Sequence, residues 1–336
     1  MKIDQLGEFG LIERIRAALP QPGPDVIVSI GDDVAVLQAS AETVWLATCD
    51  VQVEGAHFLR DAIPPRSLGR KALAINLSDI ASTGGIPRFA LVSLGLPGDL
   101  DVGFVDELYA GLREEAEMFG VEIVGGNMSR SRLGIFIDIF LLGEAPRGNV
   151  MLRSGAAAGD WIMLTGSVGD AAAGVALLLD PELRTDEAYA LTAAERQYRP
   201  TPRVKEGALI GALREASAMI DVSDGVAADL LHICEKSGVS ARLQAATLPV
   251  RSENRELART ARMDEWHFAL RGGEDYELLF TAPPARAQKL AQRITSETGT
   301  PVSIIGEILP AAQPPQLILP DGKTMPLGGT GWDHFR

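Results

Sequence analysis

The sequence is poor in cysteine, in histidine and in positive charge. Its 336 residues include two cysteines, Cys49 and Cys234, which lie far apart and form no CxxC pair. Zinc ribbons and thioredoxin-like chemistry therefore have no support, and a reducing, cytoplasmic location is the simplest expectation. The four histidines show none of the spacings that are typical of a zinc site.

The shortage of basic residues limits the possible partners. Lys and Arg number 31 against 45 Asp and Glu, which gives a formal net charge of −14. We expect neither nucleic acid nor a membrane as partner, because anionic surfaces repel such a chain. An acidic protein that binds a small polyphosphate needs divalent cations between the two sets of negative charge.

Several common signals are also missing. No uncharged apolar run reaches the ~18 residues of a transmembrane helix, and the amino terminus MKIDQLGEFG lacks the features of a signal peptide. Neither GxxxxGK[ST] nor GxGxxG occurs, so the P-loop and Rossmann modes of nucleotide binding lack support. No GxSxG motif marks a nucleophile.

The chain alternates short β-branched runs with helical patterns, which predicts a mixed α and β protein. The predicted strands are 26–30, 44–48, 89–94, 121–124, 135–142, 161–165 and 278–281. The predicted helices are 66–82, 102–119, 202–216, 226–237 and 285–298. At roughly 150 residues per domain the length indicates two domains. A segment at 144–160 that is rich in Gly, Pro and Ala suggests domains of 1–148 and 149–336.

Carboxylates recur where apolar runs end. They are Asp32 and Asp33 after 26–30, Asp50 after 44–48, and Asp221 and Asp224 after 218–220, and Asp79 lies within a helical pattern. Ligands often gather at strand ends, and carboxylates that converge there raise one another's pKa until a hard cation such as Mg²⁺ binds. Each Asp alone also suits a turn or a helix cap, so the residues leave capping and metal binding both open.

Two glycine pairs and one histidine complete the candidate set. Gly125-Gly126 and Gly272-Gly273 predict either tight turns or a close approach of the backbone to a phosphate. His57 follows the acidic stretch that contains Asp50, whereas His232 lies within a predicted helix and is interpreted as structural.

Nine motifs in fixed order resemble those of thiamine-monophosphate kinases, from near the amino terminus to the last residues. They are IGDD (30–33), TCDVQVEGAHF (48–58), KALAINLSDIASTGG (71–85), GGNMSR (125–130), LRSGAAAGDWIMLTGSVGDAAAG (152–174), RPTPR (199–203), AMIDVSDGVAADLLHI (218–233), GGEDYELLF (272–280) and GWDHF (331–335). That family belongs to the PurM-like ATP-binding superfamily.

The resemblance implies a fold and a reaction. The implied fold is an N-terminal PurM-like α+β domain that dimerises through its sheet and a C-terminal PurM-like α/β domain, with the active site in the cleft between them. The implied reaction converts ATP and thiamine monophosphate to ADP and thiamine diphosphate with several Mg²⁺ ions. Because the accepting phosphate oxygen is already deprotonated, direct in-line transfer needs no catalytic base.

The resemblance also implies roles for individual residues. The implied metal ligands are Asp33, Thr48, Cys49, Asp50, Asp79, Asn127, Asp221 and Asp224. The implied ATP contacts are Gly126, Asn127, Arg153 and Ser223. The implied contacts of thiamine monophosphate are His57, Glu274 and Trp332, of which Trp332 offers an aromatic face to the cationic thiazolium.

Two positions depart from the family pattern. Asn127-Met128 stands where the family has Asp followed by hydroxyl residues, and Cys49 replaces a Thr or Ser, which leaves only a backbone carbonyl as ligand. Two other functions stay open. One is a sister enzyme such as aminoimidazole ribonucleotide synthetase or selenophosphate synthetase, although the latter requires a reactive cysteine near its amino terminus. The other, which Asn127 and Cys49 favour, is a catalytically silent protein that binds nucleotide or thiamine phosphate.

Overall fold

The computed structural model describes residues 3–328, which form ten α-helices and two β-sheets. The helices are α1 (Ile3–Ala18), α2 (Pro65–Ser82), α3 (Val102–Phe119), α4 (Asp170–Leu179), α5 (Glu187–Tyr198), α6 (Val204–Leu213), α7 (Val226–Ser237), α8 (Ser252–Thr260), α9 (His267–Arg271) and α10 (Pro284–Thr298). Within these residues, no helix combines the length and the apolar character needed to span a membrane.

The first sheet is built by the first half of the chain. Its strands are β1 (Val26–Val28), β2 (Ala35–Gln38), β3 (Thr43–Val53), β4 (Ile86–Leu96), β5 (Glu122–Arg130) and β6 (Phe136–Pro146). They are arranged in the order β1-β2-β3-β6-β4-β5, with β4 and β5 parallel and the other neighbours antiparallel.

The second sheet is built by the second half. Its strands are β7 (Trp161–Thr165), β8 (Ala218–Asp221), β9 (Val239–Gln244), β10 (Leu278–Ala282), β11 (Val302–Pro310), β12 (Gln316–Ile318) and β13 (Thr324–Pro326). Their order is β13-β12-β9-β11-β7-β10-β8, with β9 and β12 parallel and the other neighbours antiparallel. The predicted α and β fold is confirmed, and each half of the chain contains one mixed sheet.

Helix α2 lies between the two sheets. It packs against β3 and β6 of the first sheet and against β8 of the second. The largest buried apolar cluster includes Leu46 and Leu77 from the first half together with Met163 and Phe280 from the second. The two sheets therefore share a continuous core, and α2 can present side chains to both.

Local sequence explains where several helices begin and end. At α3, the Asp101 side chain accepts a hydrogen bond from the Gly103 nitrogen, and Gly120 ends the helix in a left-handed conformation. Helix α2 starts with Pro65 in its first turn, where the missing N–H costs nothing. These signals placed α3 at the residues that the sequence predicts.

The structure corrects the prediction of a tight turn at Gly125-Gly126. Both glycines lie inside β5, which extends to Arg130 instead of ending at 124. A Cβ atom on Gly126 would overlap the carbonyl oxygen of Val92 on the neighbouring β4. Glycine is required here because the two strands approach closely beside a register shift.

Candidate active site

Three carboxylates converge from three different elements. Asp33 lies in the loop between β1 and β2, Asp79 lies on α2, and Asp221 is the last residue of β8. One oxygen from each can be chosen so that all lie within 4.8 Å of one another. We call this set the three-carboxylate centre. It joins the two sheets, because Asp221 comes from the second sheet while Asp33 and Asp79 belong to the first half.

Burial dominates the electrostatics of this centre. It raises the pKa of Asp79 well above the usual range, and the nearby charges of Asp50, Asp221 and Asp33 raise it further. Burial and the charge of Asp33 raise the pKa of Asp221 to about 7. Since carboxylates with such values bind protons readily, a divalent cation that replaces those protons would relieve the repulsion.

Each carboxylate of the centre accepts one hydrogen bond from a hydroxyl group. The pairs are Thr48 Oγ1 to Asp79 at 2.5 Å, Ser78 Oγ to Asp221 at 2.5 Å and Ser82 Oγ to Asp33 at 2.8 Å. Ser78 and Ser82 are one helical turn apart on α2, so a single helix orients two of the three carboxylates. The sequence prediction missed both serines, although their spacing of four residues in the NLSDIAS segment signals a shared helix face.

The alternation of β3 separates the predicted ligands on that strand. Thr48 and Asp50 lie on the inner face, where Asp50 raises the pKa of Asp79, and Asn76 Oδ1 accepts a hydrogen bond from the Asp50 nitrogen. Cys49 between them is exposed on the opposite face, and partial burial together with the charges of Asp138 and Asp50 raises the pKa of its thiol. The thiol therefore lies apart from the centre, and only the Cys49 backbone carbonyl stays a candidate ligand.

Asp224 lies in the turn after β8 and is not part of the three-carboxylate centre. Its backbone nitrogen donates to Oδ2 of Asp229 at 3.2 Å. Burial, followed by the charges of Asp224 and Asp221, raises the pKa of Asp229 well above its usual range. Asp229, which the sequence analysis did not single out, thus adds a buried carboxyl group next to the centre.

The predicted ATP contacts fall into two groups. Ser223 and Arg153 lie beside the centre, and Arg153 Nε donates to Asp33 at 2.9 Å as part of an ion pair. Gly126 and Asn127 lie on β5, the edge strand of the first sheet, where Asn127 is exposed and pairs with Ser93 of β4. In residues 3–328 we find no hydrogen bond from the Asn127 side chain to the centre.

Two of the three predicted substrate contacts can be described. His57 Nδ1 accepts a hydrogen bond of 3.0 Å from the Val53 nitrogen, which places the ring proton on Nε2, where it can be donated to a ligand. Glu274 adopts a positive φ of 60° and pairs with Lys71 of α2 at 2.7 Å. Trp332 lies outside the described residues.

The three carboxylates of the GGEDYE motif serve different elements. Glu274 contacts α2 through Lys71, whereas Asp275 accepts hydrogen bonds from the Gly169 nitrogen at the start of α4. Glu277 is buried and accepts hydrogen bonds from Arg203 and from Thr165 at 2.7 Å. The motif therefore holds the loop before β10 in place from three sides, a role that sequence reasoning did not identify.

Comparison with known proteins identifies the family. Residues 31–145 match the model of the N-terminal domain of AIR synthase related proteins, and residues 157–313 match that of their C-terminal domain. The thiamine-monophosphate kinase of Aquifex aeolicus (strain VF5) is 40% identical over 286 residues, which cover 85% of this chain and 89% of that protein. The enzyme of that name from Escherichia coli (strain K12) is 36% identical over 330 residues, covering 98% of each.

A solved structure agrees with the sequence relatives. It is described as AaThiL complexed with AMPPCP and TMP, is 35% identical, and covers 99% of both chains with a TM-score of 0.84. Similarity of both sequence and fold thus extends over nearly the whole chain. This chain belongs to the thiamine-monophosphate kinase family.

Proposed function

We propose that the protein transfers the γ-phosphoryl group of ATP to the phosphate of thiamine monophosphate. A bond forms between the γ-phosphorus and an acceptor phosphate oxygen, and the bond to the bridging oxygen of ADP breaks. The observation that carries the proposal is the 36% sequence identity with a thiamine-monophosphate kinase over 98% of the chain. A similar fold, in a structure described with AMPPCP and TMP, supports it. The three-carboxylate centre between the sheets provides a site for this chemistry.

The donor set at the centre fits Mg²⁺. Asp33, Asp79 and Asp221 offer only oxygen ligands, and these converge within 4.8 Å. They would hold the ion together with Asp50, while Thr48, Asp224, Asn127 and the Cys49 carbonyl remain predicted further ligands. When bound, Mg²⁺ supplies positive charge that neutralises the phosphate oxygens.

The remaining residues bind and orient rather than exchange protons. Arg153 carries a positive charge at Asp33 that can neutralise nucleotide phosphate oxygens, and His57 offers its Nε2 proton as a hydrogen-bond donor. The acceptor phosphate of thiamine monophosphate is already an anion at neutral pH. Positioning of the two phosphates therefore accounts for the reaction without a protein base.

We further propose that two copies pair through the outer face of the first sheet. This face carries apolar side chains that are between 36% and 56% exposed, namely Val51, Val53, Phe89, Leu91, Val124, Phe136 and Phe140. Clustered exposure on one sheet face is typical of a protein interface. Phe140→Glu should convert the dimer to a monomer in light scattering, whereas Val102→Glu, at a 74% exposed residue outside the face, should not. A wild-type monomer at micromolar concentration contradicts the pairing.

The proposed domains are 1–148 and 149–336. The proposal is supported by the strand distribution, since β6 ends at Pro146 and β7, the first strand of the second sheet, begins at Trp161. A reducing, cytoplasmic location remains our expectation, and the two free cysteines, one exposed and one buried, agree with it.

The test is a chromatographic assay with ATP, Mg²⁺ and thiamine monophosphate, with and without excess EDTA. Formation of thiamine diphosphate and ADP in equal amounts, abolished by EDTA, is the expected result. Binding of both substrates without ADP release would identify a silent binding protein. A folded protein that binds Mg·ATP but not thiamine monophosphate would indicate a sister enzyme.

A further inference from the structure

A fully buried lysine connects the two halves of the chain beside the candidate site. Lys71 on α2 has no exposed surface, and its Nζ lies 2.7 Å from Oε1 of Glu274. The angles at this contact do not meet those of a hydrogen bond, so the two groups interact as an ion pair. In the described part of the chain, the Lys71 ammonium has no other hydrogen-bond acceptor. Glu274 is thus the group that compensates the charge of Lys71.

Glu274 is held in an unusual backbone conformation. Its φ of 60° is costly for a residue with a side chain, and Tyr276 two residues later has a φ of 50°. The Glu274 nitrogen donates to the Ser223 carbonyl at 2.8 Å, and the Tyr276 nitrogen donates to the Val222 carbonyl at 2.9 Å. These bonds fix Glu274 against the turn that joins Asp221 to Asp224.

The side chains of Lys71 and Glu274 differ in their exposure to solvent. The side chain of Glu274 is 27% exposed, whereas that of Lys71 is completely buried behind it. Lys71 therefore cannot touch a ligand directly, but it can fix the carboxylate that does. Because burying an ammonium carries a desolvation cost that an apolar residue would avoid, the pair is better explained by orientation than by stability.

We propose that Lys71 is a positioning residue that fixes the Glu274 carboxylate as counter-ion to the cationic ring of thiamine monophosphate. This inference rests on the proposed function, because it takes thiamine monophosphate as the ligand. Its consequence is specificity for charge: the fixed carboxylate favours a positively charged thiazolium over a neutral ring of the same shape.

The experiment compares thiamine monophosphate with deazathiamine monophosphate, in which a neutral thiophene replaces the thiazolium. Lys71→Met should weaken binding of the cationic ligand by about tenfold in calorimetry, while binding of the neutral analogue changes by less than about twofold. The KM for ATP should stay within about twofold of the wild type, because the substitution removes a side-chain ion pair and leaves the backbone bond from Glu274 to Ser223 in place. If Lys71 had only a structural role, Lys71→Met would weaken the binding of thiamine monophosphate, of the neutral analogue and of ATP to a similar extent.

Glu274→Gln should reproduce the loss of charge preference, and the double variant should lose no more than either single variant. Glu274→Gln also keeps the inference testable if Lys71→Met does not fold, since Glu274 is partly exposed. Additive losses, or equal losses for the cationic and neutral ligands, would overturn the inference.

Arg70→Met is the matched control. Arg70 precedes Lys71 on α2 and pairs with Glu115 at 2.8 Å, away from Glu274. Its replacement should lower stability without changing the preference between the two ligands. The wild-type turnover assay tests the proposed function separately, so an active wild type with an unchanged preference in Lys71→Met would refute the positioning role alone.

Discussion

The side-chain oxygen of Asn76 accepts a hydrogen bond of 3.0 Å from the backbone nitrogen of Asp50. The Asn76 amide nitrogen donates in turn to the Ala72 carbonyl at 3.1 Å, one turn earlier on α2. Asn76 is completely buried, so both bonds are protected from water. Through this one side chain, α2 sets the position of β3 at the residue whose carboxylate lies beside the three-carboxylate centre.

Asp50→Asn should lower Mg²⁺-dependent turnover by about tenfold or more, because it removes a charged oxygen from the proposed metal site. Initial rates measured across a Mg²⁺ titration test this, and the loss should be greatest at limiting Mg²⁺. Asp106→Asn makes the same chemical change on the exposed surface of α3 and serves as control. Normal rates of Asp50→Asn at limiting Mg²⁺ would reject its assigned role.

Asn76→Leu keeps the side-chain size but leaves the Asp50 nitrogen without its acceptor. The free energy of unfolding should fall by about 1–3 kcal/mol, the cost of an unsatisfied buried donor. Turnover should fall as well, since the Asp50 carboxylate loses its support. Urea unfolding combined with kinetics at saturating substrates measures both, and a variant with unchanged stability and turnover would contradict the role of Asn76.

Stability without metal should decrease as the pH rises from 4 to 8. Burial raises the pKa of Asp221 from 3.8 to about 7 and that of Asp32 from 3.8 to about 6. Between the unfolded and folded values the folded chain holds more protons, so its stabilisation is complete below the unfolded pKa and is lost as pH rises through the folded pKa.

Melting temperatures measured in EDTA across this pH range test the effect, with Asp221→Asn as the comparison. As the pH increases, the melting temperature of the wild type should fall relative to that of Asp221→Asn. Added Mg²⁺ should raise the wild-type melting temperature more at pH 8 than at pH 5, where protons compete for the same oxygens. A wild type and variant with parallel pH profiles would show that Asp221 does not titrate in this range.

Glu277→Gln should cost about 3–5 kcal/mol of stability, because it leaves a largely buried Arg203 without its counter-charge. Arg203 Nε donates to Glu277 at 2.6 Å, and the Glu277 side chain is 1% exposed. Guanidinium unfolding measures the change. The control is Glu307→Gln, because Glu307 pairs with Arg242 and its side chain is 43% exposed. This variant should lose less than about 1 kcal/mol of stability. Equal losses in both variants would contradict this ranking.

Trp332→Ala should raise the KM for thiamine monophosphate more than the KM for ATP, since an aromatic face attracts the cationic ring. Trp332→Phe, which retains a smaller aromatic face, should have the weaker effect. Steady-state kinetics with each substrate varied in turn test this. An equal increase of both KM values would indicate general packing instead.

The sequence predicted elements whose signals are local. Strand β7 and the helices α3 and α7 lie at the predicted residues, since glycines end both helices and an Asp begins α3. Helix α4 was not predicted. The Gly169 nitrogen at its start donates a hydrogen bond to Asp275, which lies more than a hundred residues later in the chain. The sequence around α4 therefore gives no sign of this contact.

In the candidate site, too, some residues could be predicted from the sequence and others could not. Carboxylates at strand ends and on a helix can be found from the sequence, and the structure brings Asp33, Asp79 and Asp221 together. Their hydroxyl donors Ser78 and Ser82 could not be assigned, because each acts on a residue contributed by another element. Single-sequence patterns cannot specify such long-range pairs.

The continuous core described above limits how the molecule can move. A wide hinge opening between the two sheets would separate Leu46 and Leu77 from Met163 and Phe280 and expose them to water. At about 25 cal/mol per Å² of apolar surface, such an opening is unfavourable. The two sheets should therefore stay at a nearly fixed separation on either side of the three-carboxylate centre while two anionic reactants bind there. Turnover should depend on loop and side-chain rearrangements around this centre rather than on closure of rigid lobes.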